Sequence, residues 1–265
     1  MAAEYEGCET FGLAITARCD TANDKVQIYN YLPVVSLDDW MHRDGKMILA
    51  ERLEAEALGG LKAVLKDSGY NPAVLDTEKP DFLVAHFFPV SATGKAKVAA
   101  RKRATDQLQR YELAQRAKQS LPQERICHEV AATYQKYVTS LIDDLVRHKL
   151  GGYYFLEQVD VNGDDRGFVV LVREIQAIPR KLAQLIVDGL DRQTFSAICA
   201  ASPEFRGRLQ ISSEDLAMPV GIVRSPNIEH LMQSFALLFG RIGIADLAID
   251  YISSLWARQP SVTEV

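Results

Sequence analysis

Gly12-Leu-Ala-Ile-Thr-Ala-Arg-Cys-Asp-Thr-Ala-Asn-Asp-Lys25, running on into Val26-Gln-Ile-Tyr-Asn-Tyr-Leu-Pro-Val-Val35, decides how this chain is organised. A strand-length apolar run stops at Arg18-Cys19-Asp20, crosses a polar turn containing Asn23-Asp24 and resumes as a second strand, which is the pattern of a β-hairpin. Its tip sets a guanidinium, a thiol and a carboxylate side by side at a strand end, where a rigid scaffold presents binding groups. A second hairpin is expected far downstream, from Tyr153–Val159 and Gly167–Ile175, joined by the turn-forming Asp160-Val-Asn-Gly-Asp-Asp-Arg166. Two isolated hairpins cannot each bury an apolar face, so both are expected in one sheet or barrel.

Between them the period becomes helical. Ser36-Leu-Asp-Asp39 reads as a capping box in which the Ser36 hydroxyl accepts from the Asp39 amide. Met47, Leu49, Leu53, Leu58, Leu61, Val64 and Leu65 recur at helical spacing around Gly59-Gly60, which reads as one helix or a broken pair. Residues 95–118 are rich in strong helix formers and carry no proline. Leu121-Pro122 then opens a helix with the stripe Ile126, Val130, Tyr134, Tyr137, Leu141 and Leu145. After the second hairpin, Pro219–Arg224 reads as a strand-like piece, and Ser225-Pro226 is a helix start, an N-cap hydroxyl followed by proline. The expected fold is α+β: a small antiparallel β-barrel or sheet interrupted by a long helical insertion, with C-terminal helices. Its divisions are 1–36 and 152–225 for the two halves of the barrel, 37–151 for a protruding insertion and 226–265 for the last helices.

With 265 residues, 48% of them hydrophobic, the chain can bury a core without staples. Cys8, Cys19, Cys127 and Cys199 form no Cys-x-x-Cys pair, so reduced thiols are the expectation. The start, Met1-Ala-Ala-Glu-Tyr-Glu, has neither a basic region nor an apolar run, and no segment reaches the roughly 18 apolar residues of a membrane span. A cytoplasmic protein without membrane contact is expected. Net charge is −5, which excludes a surface basic all round. Between Lys95 and Lys118, however, Lys95, Lys97, Arg101, Lys102, Arg103, Arg110, Arg116 and Lys118 face only Asp106 and Glu112. That segment is +6 and leaves −11 for the rest. Such a helix fits docking on a phosphate backbone or an acidic protein, and equally a solvated face in a salt-bridged bundle.

Several motifs fail on their chemistry. Thr93-Gly94-Lys95-Ala96 lacks both the upstream glycine, replaced by Pro89, and the magnesium-binding hydroxyl of a phosphate loop. His128-Glu129 has Ala132 where a zinc-protease helix needs its second histidine. Asp165 and Leu171 stand where a calcium loop needs glycine and glutamate. His42, His86, His128, His148 and His230 form no metal-spaced pair, so neither a metal nor a cofactor is expected. His230 is singled out because it follows Arg224 and Ser225 into a helix start, where free amides favour an anion. Cys19 reads either as a reactive thiol beside Arg18 or as a small core residue.

The run from Gly12 to Ala22, with a Cys-Asp pair closing a strand and Lys25 shortly after, resembles the first hairpin of small barrels related to the PemK/MazF toxin group. The resemblance covers residues 12–35 and 153–175. It implies a barrel binding RNA or DNA across a concave side, in a bacterial toxin–antitoxin or phage-defence setting. It also implies RNA cleavage by a basic and a hydroxyl-bearing residue near the strand ends, for which Arg18, Thr16 and Thr21 are the nearest counterparts. No catalytic set follows from the residues themselves. The leading expectation is therefore a nucleic-acid- or partner-binding module, with a MazF-like endoribonuclease and a protein-only adaptor as alternatives. Arg18, Asp20, Lys25, Arg101, Lys102, Arg103, Arg224, Ser225 and His230 are its candidate binding residues.

Overall fold

Strand β2, Ile28–Ser36, organises the molecule because each part of it is paired. The computed structural model describes residues 5, 7–16, 26–159, 166–209, 211 and 216–240, and it divides the chain into two units, Met1–Val223 and Arg224–Val265. On one side β2 pairs antiparallel with β1, Thr10–Ala14, in the register Leu13↔Leu32. Its other side is shared. Val34–Ser36 pair with β4, Phe168–Leu171, while Ile28–Tyr31 pair with β5, Gln176–Pro179. Strand β3, Tyr153–Leu156, completes the second hairpin on β4. Both expected hairpins thus lie in one antiparallel sheet.

That sheet does not close. Its order is β1-β2-β4-β3, with β5 beside β2, so the barrel expectation is corrected to an open sheet. The reason lies in what covers it. Val35, Val169 and Leu171 are buried in the same core as Trp40, Leu49, Leu53, Leu113, Leu141 and Leu145, so helices remove the apolar face from water where a barrel would fold the sheet on itself. The helical stretch consequently does not simply protrude, since its near half and the sheet share one core.

The helices are α1, Leu37–Trp40, which passes through a widened turn, Met41–Gly45, into α2, Lys46–Asp67; then α3, Pro80–Phe87; α4, Lys95–Gln119; and α5, Ile126–Val146. Gly59 and Gly60 do not break α2. Gly60 lies against Gln107 of α4, and a Cβ there would stand 2.5 Å from the Gln107 side chain, so close helix packing overrides the local preference. The far half of this hairpin has its own core of Leu61, Val64, Leu65, Val84, Phe88 and Ala104. Beyond the sheet, α6, Arg180–Val187, and α7, Arg192–Ala201, pack Leu182 and Phe195 with Leu190 and Phe205. Leu190–Asp191 and Leu216–Ala217, β6 and β7, form a separate two-stranded pair. Residues 219–224, expected as a strand, form none. In the second unit α8, Asn227–Phe239, starts just after the cis Ser225–Pro226 bond, one residue later than expected. The expected last helix lies outside the described residues.

Candidate functional site

Helix α4 runs antiparallel to α2, and that pairing determines which of its charges face another charge. Arg103 donates to Asp67 at 3.1 Å and Arg110 to Glu56 at 3.4 Å, Lys118 pairs with Glu54, and Arg116 pairs with Glu129 of α5. The half of α4 from Arg103 onward is therefore largely neutralised within the bundle. The first two turns differ. Lys95, Lys97 and Lys102 are exposed and have no ion pair within 4 Å among the described residues, and Arg101 donates to the Val90 carbonyl at 3.0 Å. No acid stands in the first turn, which begins after Gly94 at φ 102. Positive side chains thus accumulate at the positive end of the helix dipole, an arrangement unfavourable to the helix and favourable to an anion.

Of the other sequence-predicted binding residues, Arg18, Asp20 and Lys25 lie outside the described residues, as do Cys19 and Thr21. Thr16 is held by the hairpin itself, its hydroxyl oxygen accepting from the Asn30 amide at 2.8 Å. Arg224, Ser225 and His230 are exposed on the second unit.

A second constellation was not legible in the sequence. Ser36 ends β2 in an extended conformation and its hydroxyl caps α1 through the Asp39 amide at 3.0 Å, as the capping box predicts. The backbone then widens over Met41–Gly45, a π-type turn of the kind that recurs at functional sites. Gly45 makes it possible, because a Cβ there would lie 2.9 Å from the buried Trp40 ring. Asp39 is a saturated hub, accepting from the Ser36 hydroxyl at 2.7 Å, from Cys8 Sγ at 3.2 Å and from Arg43 at 3.2 Å. Tyr5 donates to Asp44 at 2.9 Å. Burial, then the Asp44 carboxylate, holds the Tyr5 phenol far above its ordinary range. Burial pushes the Cys8 thiol up to about 11, helped by its hydrogen bond to Asp39, and burial brings Cys127 to about 11 as well. Neither is a ready nucleophile, since thiolate is the reactive form.

On the other side of α1 the groups are less satisfied. His42 Nδ1 lies 2.7 Å from the Asp38 carbonyl oxygen and 3.5 Å from Asp38 Oδ1, and Arg125 reaches Asp38 Oδ2 at 3.3 Å. The His128 ring, from the first turn of α5, stands 5.3 Å from that of His42. One ligand atom from each of Asp38, His42 and His128 lies within 4.8 Å of the others, the three-residue group of this kind among the described residues. Each histidine read singly along the chain gives no metal spacing; folding α5 against the widened turn creates the pair. No family model, curated protein or solved structure matches the chain. No helix among the described residues is long and apolar enough to cross a membrane.

Proposed function

We propose that this chain is a nucleic-acid-binding module, not itself a catalyst, that docks a phosphate backbone on the first two turns of α4. The observation that carries the reading is the contrast along one helix. Arg103, Arg110, Arg116 and Lys118 are matched by acids of α2 and α5, whereas Lys95, Lys97 and Lys102 have no acidic partner among the described residues and Arg101 bonds a carbonyl. Cations at a helix N-terminus cost the helix about 0.3–1 kcal/mol, and a polyanion docked there would offset that cost. The toxin–antitoxin or phage-defence setting implied by the resemblance of residues 12–35 and 153–175 is part of the same proposal.

Purified full-length protein mixed with an RNA pool and with duplex DNA, and assayed for both retention and cleavage, tests the reading. Retention that weakens steeply with salt, with the nucleic acid intact, is expected. Absence of retention overturns it, and cleavage favours the endoribonuclease alternative instead. One observation favours the adaptor reading: Leu216, Met218, Val220 and Ile222 alternate as exposed apolar side chains along one segment. Such a row marks a protein-binding surface, and substituting Ile222→Ser without any effect on complex formation in cells argues against it.

A further inference from the structure

We propose that Asp38, His42 and His128 bind one divalent transition-metal ion of the zinc class, with a coordination position left open. The His42 ring is the key group. Its Nδ1 is 2.7 Å from a backbone carbonyl oxygen, which only accepts, so in the neutral ring Nδ1 carries the proton and Nε2 the lone pair. His42 is 6% exposed, and its Nε2 is a buried atom with no hydrogen-bond partner among the described residues. A buried acceptor left unsatisfied costs about 1–3 kcal/mol, a cost that a ligand bound at Nε2 would relieve. A histidine whose Nδ1–H is held by a carbonyl is also in the tautomer and orientation that metal sites impose on their ligands.

The neighbours identify the occupant. An imidazole and a carboxylate stand beside His42, and two imidazoles with one carboxylate are the donor set that borderline divalent ions take, with a position kept for water. The other charged and sulfur groups nearby are otherwise engaged. Arg125 takes Asp38 Oδ2 and leaves Oδ1, Lys46 donates to the Ser120 carbonyl, and Cys127 Sγ donates to the Met41 carbonyl at 3.1 Å. Ligand atoms bound at roughly 2.0–2.1 Å in a tetrahedron stand about 3.4 Å apart. Asp38 and His128 are both exposed, so their side chains can turn toward His42 Nε2 without repacking a core. The ion would then tie the turn after β2 to the start of α5 and stabilise the fold by mass action.

The test is a titration of chelator-stripped full-length protein with zinc by calorimetry and with cobalt by visible absorption. One equivalent bound, low-symmetry cobalt bands and a rise in melting temperature reversed by chelator are expected. His128→Ala and Asp38→Asn change exposed residues and leave the far-ultraviolet circular dichroism intact. Each should weaken binding by more than about tenfold, the loss that even partners outside the ligand shell produce. His230→Ala should bind as the parent does. Failure of the parent to bind a stoichiometric ion, or His128→Ala binding as tightly as the parent, overturns the proposal. His42→Ala is not needed for the decision, so unfolding of that buried variant leaves the test intact.

Discussion

Val35 of β2 stands opposite Val169 of β4 in antiparallel register, with residues 36–168 between them in sequence. Both side chains are fully buried, in one core with Leu49 and Leu53 of α2 and Leu141 and Leu145 of α5. The sheet and the nearer helices therefore stabilise each other and should not melt separately. Leu171→Ala, in β4, removes a fully buried side chain from this core and is expected to cost about 2–5 kcal/mol. Helical circular dichroism and tryptophan fluorescence should shift together to the same lower midpoint. Two separated transitions would mean that the helices form a core of their own.

The widened turn and the long helix make opposite predictions for glycine. Gly45→Ala places a Cβ 2.9 Å from the Trp40 ring, which is fully buried and cannot swing away. Overpacking of this kind costs about 1–3 kcal/mol. Gly59, in the interior of α2, has open space around its missing Cβ. Gly59→Ala should stabilise by about 0.5–1 kcal/mol, through the reduced entropy of the unfolded chain. Denaturant midpoints for the two variants check both signs.

Alkaline stability should carry the mark of Cys8. Its folded value, about 11, lies above the ordinary thiol value of 9.0, so the fold prefers the proton on sulfur. That contribution is present in full below pH 9 and is lost as pH rises through about 11. Tyr5 and Tyr153, raised chiefly by burial and next by the Asp44 charge, act in the same direction. The melting temperature should fall across this window, Cys8→Ser should fall less steeply, and native Cys8 should alkylate slowly near pH 8. Rapid labelling of Cys8 itself in folded protein at pH 8 would contradict the assignment.

Much of the architecture is legible locally. The two hairpins, the Ser36 cap and the uninterrupted α4 follow from period, cap chemistry and propensity, all properties of neighbouring residues. The open sheet does not, because closure depends on what covers the apolar face, and the helices that cover it come from other parts of the chain. The passage of α2 through Gly59-Gly60 is set by Gln107 of α4, beyond any window around the glycines. The site divides in the same way. The charge of α4 is visible in sequence, but which of its cations remain unmatched depends on the antiparallel pairing that brings Asp67, Glu56 and Glu54 alongside. His42 and His128 each carry no signal alone, and their meeting is a product of the fold.

The most direct measurement compares two charge-matched variants by fluorescence anisotropy against single-stranded RNA over a range of salt. One is Lys95→Gln/Lys97→Gln/Lys102→Gln at the unmatched end of α4, the other Arg110→Gln/Arg116→Gln/Lys118→Gln at the paired end, both below their melting temperatures. Each removes three positive charges, so net charge alone predicts equal losses. Phosphate docking on the first two turns of α4 predicts that the first variant flattens the dependence of log affinity on log salt by about 0.7 for each phosphate no longer neutralised, while the second leaves the slope unchanged. Equal weakening by both variants, or none by the first, would contradict it.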